Sequence, residues 1–299
     1  MKFNKTAENV KVGFIGLGIM GSRMAERLQG VGFDLVVHNR TRGKASQLVA
    51  NGAEWAGGPA GVGRAAEVVF TMLADPESVR ETALAGDGLL NGLGPGNLWV
   101  DCTTVNPSFS REMGQAAHER GIRFIDAPVA GSKQPAAEGQ LLFLAGGDEA
   151  DVEACRPYFD AMGRDVVHAG GIGTGTSMKM LINMMLGINM AAFAEMLALG
   201  TSMGIARERV LDALIGSAVV APFVQGKRSR IEQDEYGTEF PLKWMHKDLH
   251  LAAITAYETG VAMPVENAAK EAFALAERFG LSDEDFSAVV RAYRRKPGG

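Results

Sequence analysis

Lys179 immediately precedes a charge-free apolar run, Met180 to Ala194, and Asn183 lies four residues further on. In a helix that spacing puts both side chains on one face. A lysine buried at the start of an apolar helix is costly unless it has a partner or a task. Its three donors suit polarisation and protonation of a carbonyl oxygen, and Asn183 could orient it. A lysine snorkelling at a helix end satisfies the local sequence equally well.

A second constellation could bind phosphate. Gly16-Leu17-Gly18-Ile19-Met20-Gly21 is a GxGxxG between a strand-like run and a helix-like run. Alone the pattern is weak, but inside a βαβ unit it has the right context. Gly16 permits a tight turn, Gly18 lets a pyrophosphate approach the backbone, and Gly21 lets helix and strand pack closely. The phosphates would sit at the helix N-terminus. At the end of the next strand-like run, where an NAD site usually has Asp or Glu, the chain reads Asn39-Arg40-Thr41. A carboxylate would repel a 2′-phosphate, whereas a guanidinium binds it bidentately and a hydroxyl can add a bond. The expected cofactor is therefore NADPH rather than NADH. Two further segments, Asp101–Val105 and Asp126–Lys133, follow strand-like runs. Ligands of open α/β sheets bind at such strand ends, and the N–H groups of Gly131 and Ser132 could hold a carboxylate.

These residues need a scaffold. Strand-like runs at Lys11–Gly16, Asp34–His38, Val68–Leu73, Leu98–Cys102, Phe124–Val129, Leu141–Ala145 and Asp165–His168 alternate with helix-like stretches such as Ile19–Gln29 and Gly43–Ala50. That alternation predicts βαβ units and a largely parallel sheet covered on both faces. A Gly-rich turn at Gly170, Gly171, Gly173 and Gly175 ends the pattern. Beyond it, helices are predicted at Thr176–Ser202, Arg207–Ser217, Lys243–Thr259, Pro264–Phe279 and Asp283–Arg294. The expected fold is an α/β domain over residues 1–172, followed by an all-α domain over 173–299.

Composition narrows the classes. The chain has 299 residues, 46% hydrophobic and 22% charged, which is ordinary for a globular protein of about two domains. The formal net charge is -5, so no basic face points to nucleic acid. Two cysteines, Cys102 and Cys155, imply neither a disulfide framework nor a metal site. Met1–Lys11 is polar and lacks a signal-peptide core. Met180–Ala194 is shorter than the ~20 residues of a bilayer span, so a buried helix is expected there, with no membrane partner. These features predict a cytoplasmic protein. Its apolar, Met-rich helices predict a homodimer or homotetramer.

On several separated motifs the chain resembles the β-hydroxyacid dehydrogenases, from about Lys11 to Val290. FIGLGIMG at 14–21 is similar to the family's cofactor loop, and DAPVAGSKQPA at 126–136 to its substrate loop. GGIGTGTSMKMLIN at 170–183 is similar to its catalytic helix, whose catalytic lysine falls on Lys179. The Asn-Arg-Thr turn, FPLKWMHKD at 240–248 and DFSAV at 285–289 look like the glyoxylate/succinic semialdehyde reductase branch. The resemblance implies an α/β Rossmann domain that binds NADP, over 1–172, joined by a long helix to an all-α domain for substrate and oligomerisation, over 173–299. It implies that Thr104 lies near the nicotinamide ribose and that Met72 and Leu73 line the cofactor. It also implies that Lys247 contacts the cofactor from the helical domain, and that Phe240 and Asp248 shape or support the site. One position departs: where the family loop usually has a substrate-touching Ser, this chain has Ala130.

The activity these readings imply is NADPH-dependent reduction of small aldehyde or keto acids, with glyoxylate and succinic semialdehyde leading. The cofactor supplies hydride, Lys179 as ammonium stabilises the growing oxyanion and gives the proton, and Asn183 holds the lysine. Gly131, Ser132 and Thr104 bind the substrate's carboxylate or its surroundings. No metal is required, because the lysine does the polarising. Two alternatives have different chemistry: a 3-hydroxyisobutyrate, tartronate semialdehyde or imine-reducing relative, and a non-catalytic NADP-binding scaffold. A substrate panel separates the first, and any turnover of NADPH disposes of the second.

Overall fold

The computed structural model describes residues 11–294; most of the polar N-terminal stretch lies outside them. The chain divides into two compact units, Met1–Lys179 and Met180–Gly299.

In the first unit the strands are β1 (Val12–Ile15), β2 (Leu35–His38), β3 (Glu54–Trp55), β4 (Val68–Thr71), β5 (Leu98–Asp101), β6 (Arg123–Asp126), β7 (Val129–Ala130), β8 (Leu141–Gly146) and β9 (Gly163–Gly170). Six run parallel in the order β3-β2-β1-β4-β5-β6. β8 is antiparallel to β6 and β7, and β9 is parallel to β8. The helices are α1 (Gly21–Gly30), α2 (Ser46–Ala50), α3 (Pro59–Ala65), α4 (Pro76–Leu84), α5 (Pro107–His118), α6 (Lys133–Glu138), α7 (Glu149–Ala154) and α8 (Arg156–Met162).

Parallel strands buried on both faces send alternate residues to opposite layers. Val12 and Phe14 of β1 join a core with Met24 and Leu28 of α1, Leu48 of α2 and Phe159 of α8. Ile15, Val69 of β4 and Trp99 of β5 join a second core with Val62 of α3, Val79 of α4 and Phe109 and Met113 of α5. This is the doubly wound arrangement. Its strand order reverses between β1 and β4, which opens a crevice at their carboxyl ends.

Some elements differ from the sequence expectation. The single strand expected over Phe124–Val129 is split into β6 and β7 at Ala127-Pro128, where proline has no N–H to give the ladder. The helix expected from Ile19 begins at Gly21, and the one expected from Gly43 opens as a 3₁₀ turn, Arg42–Ala45.

The long helix α9 (Thr174–Ser202) has 29 residues. By length and composition it could cross a membrane, which corrects the reading of this segment as too short. Half of its apolar window is buried within the protein, and Asn183 is buried in it. It is not buried on all sides: Leu181, Met185, Met196 and Leu199 are exposed. Leu181 and Met185 are four residues apart and Met196 and Leu199 three, and the eleven residues between the pairs are about three turns, so all four lie on one side of the helix.

The second unit adds α10 (Arg207–Ile215), α11 (Arg228–Gln233), α12 (Leu242–Thr259) and α13 (Pro264–Arg278). Its core includes Met190, Leu197, Met245, Leu249 and Phe273. A Cβ at Gly187 would lie 3.0 Å from the Leu249 and Met245 side chains, so glycine there lets α9 and α12 approach closely. The last helix, expected from Asp283, is a 3₁₀ helix over Phe286–Tyr293. Asp285 caps it, accepting from the N–H and the hydroxyl of Ser287 at 3.2 and 2.6 Å.

Candidate active site

The glycine turn lies at the switch point. Gly16 follows β1 with φ +95°, and a Cβ there would sit 2.3 Å from the Met72 carbonyl oxygen. A Cβ at Gly21 would sit 1.9 Å from the Gly16 carbonyl oxygen. A Cβ at Gly18 would meet no atom within 4 Å. Two glycines thus serve the turn itself, while the third leaves open space beside the backbone. α1 has no side-chain cap and no acidic residue in its first turn, so its positive end is open to an anion. Ile19 and Met20 complete the turn before α1. These residues fit a dinucleotide's pyrophosphate.

Asn39, just after β2, has a defined local task. Its Oδ1 accepts from the Leu17 N–H at 2.9 Å, and its Nδ2 donates to the Thr41 carbonyl at 2.9 Å. It therefore ties the glycine turn to the β2 turn. Arg40 and Thr41 are exposed there. Arg42, which the sequence reading passed over, stands 5.6 Å above the Trp55 ring. Arg40, Arg42 and Lys44 form a cationic run with no acid between 39 and 46.

Met72 and Leu73 follow β4 across the crevice. The Met72 N–H donates to Ile15 at 2.9 Å, and the Leu73 N–H to Thr103 Oγ1 at 3.0 Å. A buried network fixes this region: Trp99 Nε1 donates to Thr71 Oγ1 at 2.8 Å, and that hydroxyl donates to Asp101 Oδ1 at 2.7 Å. Asp101 also accepts from the Thr103 N–H at 3.1 Å. Thr104 is half-buried in the next position.

On the substrate-loop segment, Ala130 ends β7 opposite Leu142 of β8 and is half-buried. Gly131 has φ +127°, a conformation that favours glycine, and is exposed. Ser132 precedes α6 and makes no side-chain cap bond there.

Asp126 closes β6 and is 1% exposed. Its two carboxylate oxygens accept from the N–H groups of Gly173 and Thr176, each at 2.7 Å. Burial pushes its carboxyl up to about 6, against the pull of those N–H bonds. Thr176 Oγ1 also lies 2.9 Å from Ser110 Oγ of α5. Lys179 stands one turn beyond Thr176 and is 8% exposed. Asn183, one turn further, is 1% exposed. Thr176, Lys179 and Asn183 thus form a buried polar stripe along an apolar helix.

In the second unit, Asn183 Nδ2 donates to Asp248 Oδ2 at 2.5 Å, which leaves Asn183 Oδ1 buried without a hydrogen-bond partner. Lys247 Nζ lies 2.9 Å from Asp248 Oδ1. The Phe240 N–H donates to Asp285 Oδ2 at 3.3 Å, and its ring packs 5.6 Å from Phe286. The structure therefore joins Gly16, Leu17, Asn39, Met72 and Leu73 in the first unit, and Asn183, Lys247 and Asp248 in the second. The bonds of Asp126, Thr71, Trp99 and Thr103 were not read from the sequence. One signal existed for Asp126: the first turn of α9 has no acidic residue of its own.

The chain is similar to proteins already known. A family described as the NAD binding domain of 6-phosphogluconate dehydrogenase matches residues 11–171. The NAD-binding domain of NADP-dependent 3-hydroxyisobutyrate dehydrogenase matches residues 173–293. The chain is 39% identical to glyoxylate/succinic semialdehyde reductase 1 of Arabidopsis thaliana over 95% of this chain and 99% of that one. It is equally similar to the chloroplastic reductase 2, covering 80% of it. It is also 35% identical to human cytokine-like nuclear factor N-PAC, of which it spans 52%. Among solved structures, 3-hydroxyisobutyrate dehydrogenase of Mycobacterium tuberculosis, with L-serine, superposes with a TM-score of 0.86 at 29% identity, covering 96% of this chain and 99% of that one. Psf3 in complex with NADP+ and 2-OPP gives 0.84 at 27% identity, covering 95% and 100%.

Proposed function

The chain belongs to the β-hydroxyacid dehydrogenase family, in the branch of the glyoxylate/succinic semialdehyde reductases, and from that premise we propose an NADPH-dependent reductase of small aldehyde or keto acids. That it is an NAD(P)-dependent oxidoreductase follows from the family itself. The observation that carries the finer reading is Lys179, a cation buried on an apolar helix one turn from an anchored N-terminus.

Gly16, Leu17, Gly18, Ile19, Met20 and Gly21 would hold the cofactor's pyrophosphate, and Asn39, Arg40 and Thr41 its 2′-phosphate. Met72, Leu73 and Thr104 would border its nicotinamide end, with Lys247 as a further contact. When bound, the cofactor supplies hydride for the substrate's carbonyl carbon. The carbonyl oxygen then gains negative charge. Lys179 Nζ, as ammonium, stabilises that charge and gives the oxygen its proton, leaving an alcohol. The neutral amine regains a proton from water. Asn183, four residues along the helix, would orient the lysine: its Nδ2 donates to Asp248 and its Oδ1 has no hydrogen-bond partner, so Oδ1 is the acceptor available to an ammonium. The N–H groups of Gly131 and Ser132 bind the carboxylate, and Phe240 and Asp248 shape and support the site. Glyoxylate to glycolate and succinic semialdehyde to 4-hydroxybutyrate are the reactions proposed. Oxidation of NADPH on adding either aldehyde, with the hydroxy acid recovered as product, tests the reading. A protein inert toward both contradicts it.

Ala130 offers no hydroxyl to the substrate. Ala130→Ser adds one possible hydrogen bond to a charged group, about 1.5–3 kcal/mol where the geometry is right. The expected gain in kcat/KM for glyoxylate, the acid with fewest other contacts, is roughly 10- to 150-fold. A four-carbon semialdehyde loses instead, because the added oxygen takes space. Values within about twofold for both substrates would remove position 130 from the site.

The exposed stripe of Leu181, Met185, Met196 and Leu199 supports a homodimer or homotetramer. Met185→Lys combined with Leu199→Lys is expected to shift the protein toward monomer in sedimentation at micromolar concentration. An unchanged assembly would place the interface elsewhere.

A further inference from the structure

Asp126 is a buried carboxylate that the chemistry above does not use. It ends β6, whose neighbours in register carry the row Thr71, Asp101 and Asp126 across the sheet. Asp101 is engaged by Thr71 and Thr103, whereas Asp126 reaches out of the sheet to α9. Capping residues usually adjoin their helix in sequence. Here the acceptor comes from 47 and 50 residues away, and it takes two donors at once. The contact is tight from both sides. A Cβ at Gly146 would lie 2.6 Å from Asp126 Oδ1, and one at Gly175 would lie 2.2 Å from the Leu144 carbonyl oxygen. The first turn of α9 is thus seated on the carboxyl end of the sheet, with glycine on both sides of the contact. The Ser110–Thr176 hydroxyl pair adds a second tether.

Lys179 follows Thr176 by one turn on the same helix face, so the seat of that turn fixes where its side chain starts. We propose that Asp126 is a positioning residue that acts through Lys179, holding the catalytic helix against the nucleotide-binding sheet. This rests on the lysine mechanism proposed above. Its physical content is that a misplacement of about 1 Å can cost on the order of 10²-fold in rate without any contact being lost at the reacting atoms.

Asp126→Asn keeps the shape but turns one acceptor into a donor that faces a backbone N–H. The expected result is a fall in kcat of roughly 10- to 100-fold, with the KM for NADPH within about twofold of wild type. The discriminating protein is the double variant Asp126→Asn with Lys179→Ala. If Asp126 acts through the lysine, the double variant turns over as slowly as Lys179→Ala alone, and no slower. A further loss multiplied onto that of Lys179→Ala would make the aspartate merely structural and overturn the proposal. So would a normal kcat in Asp126→Asn while Lys179→Ala is slow. If instead Lys179→Ala itself is unimpaired, the lysine mechanism fails first. Should Asp126→Asn not fold, Asp126→Ser takes its place, keeping one acceptor of a kind common at helix caps. The same kcat loss and the same non-additivity are expected of it. Failure of both variants to fold would make Asp126 a folding residue and end the proposal.

Discussion

Lys179→Ala is expected to lower kcat for glyoxylate and succinic semialdehyde by roughly 10²–10⁴-fold, the usual contribution of a positioned general acid. The side chain is almost fully buried on α9, yet it lies between two other polar residues, Thr176 and Asn183, on an otherwise apolar helix. Alanine at 179 leaves the helix intact, since alanine is the best helix former. NADPH binding should survive, because the glycine turn, Asn39 and Arg40 are untouched. The measurement is kcat by NADPH oxidation beside cofactor Kd by fluorescence titration. Near-normal turnover in a variant that binds NADPH normally would remove Lys179 from the chemistry.

Arg40→Glu should reverse the cofactor preference. Loss of a charged hydrogen bond to the 2′-phosphate is worth ~1.5–3 kcal/mol, about 10- to 150-fold in kcat/KM for NADPH, and the new carboxylate adds repulsion. The same carboxylate can accept the ribose 2′-hydroxyl of NADH, so NADH should improve or hold steady. Arg42 and Lys44 remain nearby and keep the loss from being complete. Arg42 is held over Trp55, which makes Arg42→Ala the companion variant, with a smaller loss expected for NADPH alone. A variant that keeps its NADPH preference would show that Arg40 is not the phosphate ligand.

The parts of this site visible in the sequence are those written within a few consecutive residues. Two of the three glycines follow from local backbone geometry, Gly16 from its positive φ and Gly21 from its contact with Gly16. The placement of Lys179 and Asn183 on one helix face follows from helical spacing. What stayed hidden is non-local. Asp126 meets α9 across 47 and 50 residues, and Asn183 meets Asp248 across 65. No spacing rule reaches that far. Three covering helices, α3, α4 and α5, were expected only as the helical parts of βαβ units, without bounds, although each begins with proline at its first position. α3 is short and carries two glycines, Gly61 and Gly63, so it has little periodic signal. Gly63 is there because a Cβ would lie 2.8 Å from the Leu93 nitrogen. Asp285, which caps the last helix, likewise accepts from Lys227 Nζ at 3.0 Å, 58 residues away.

Reduction of small aldehyde acids with NADPH is the activity proposed for this family member. Its most direct test compares kcat/KM for reduction of glyoxylate and succinic semialdehyde with that for oxidation of 3-hydroxyisobutyrate, each with NADP(H) and NAD(H). Reduction of at least one of the two aldehyde acids with NADPH is expected to exceed every other combination by at least about tenfold, or ~1.4 kcal/mol in transition-state binding. A higher value for 3-hydroxyisobutyrate, a preference for NADH, or no turnover of any aldehyde acid would contradict it.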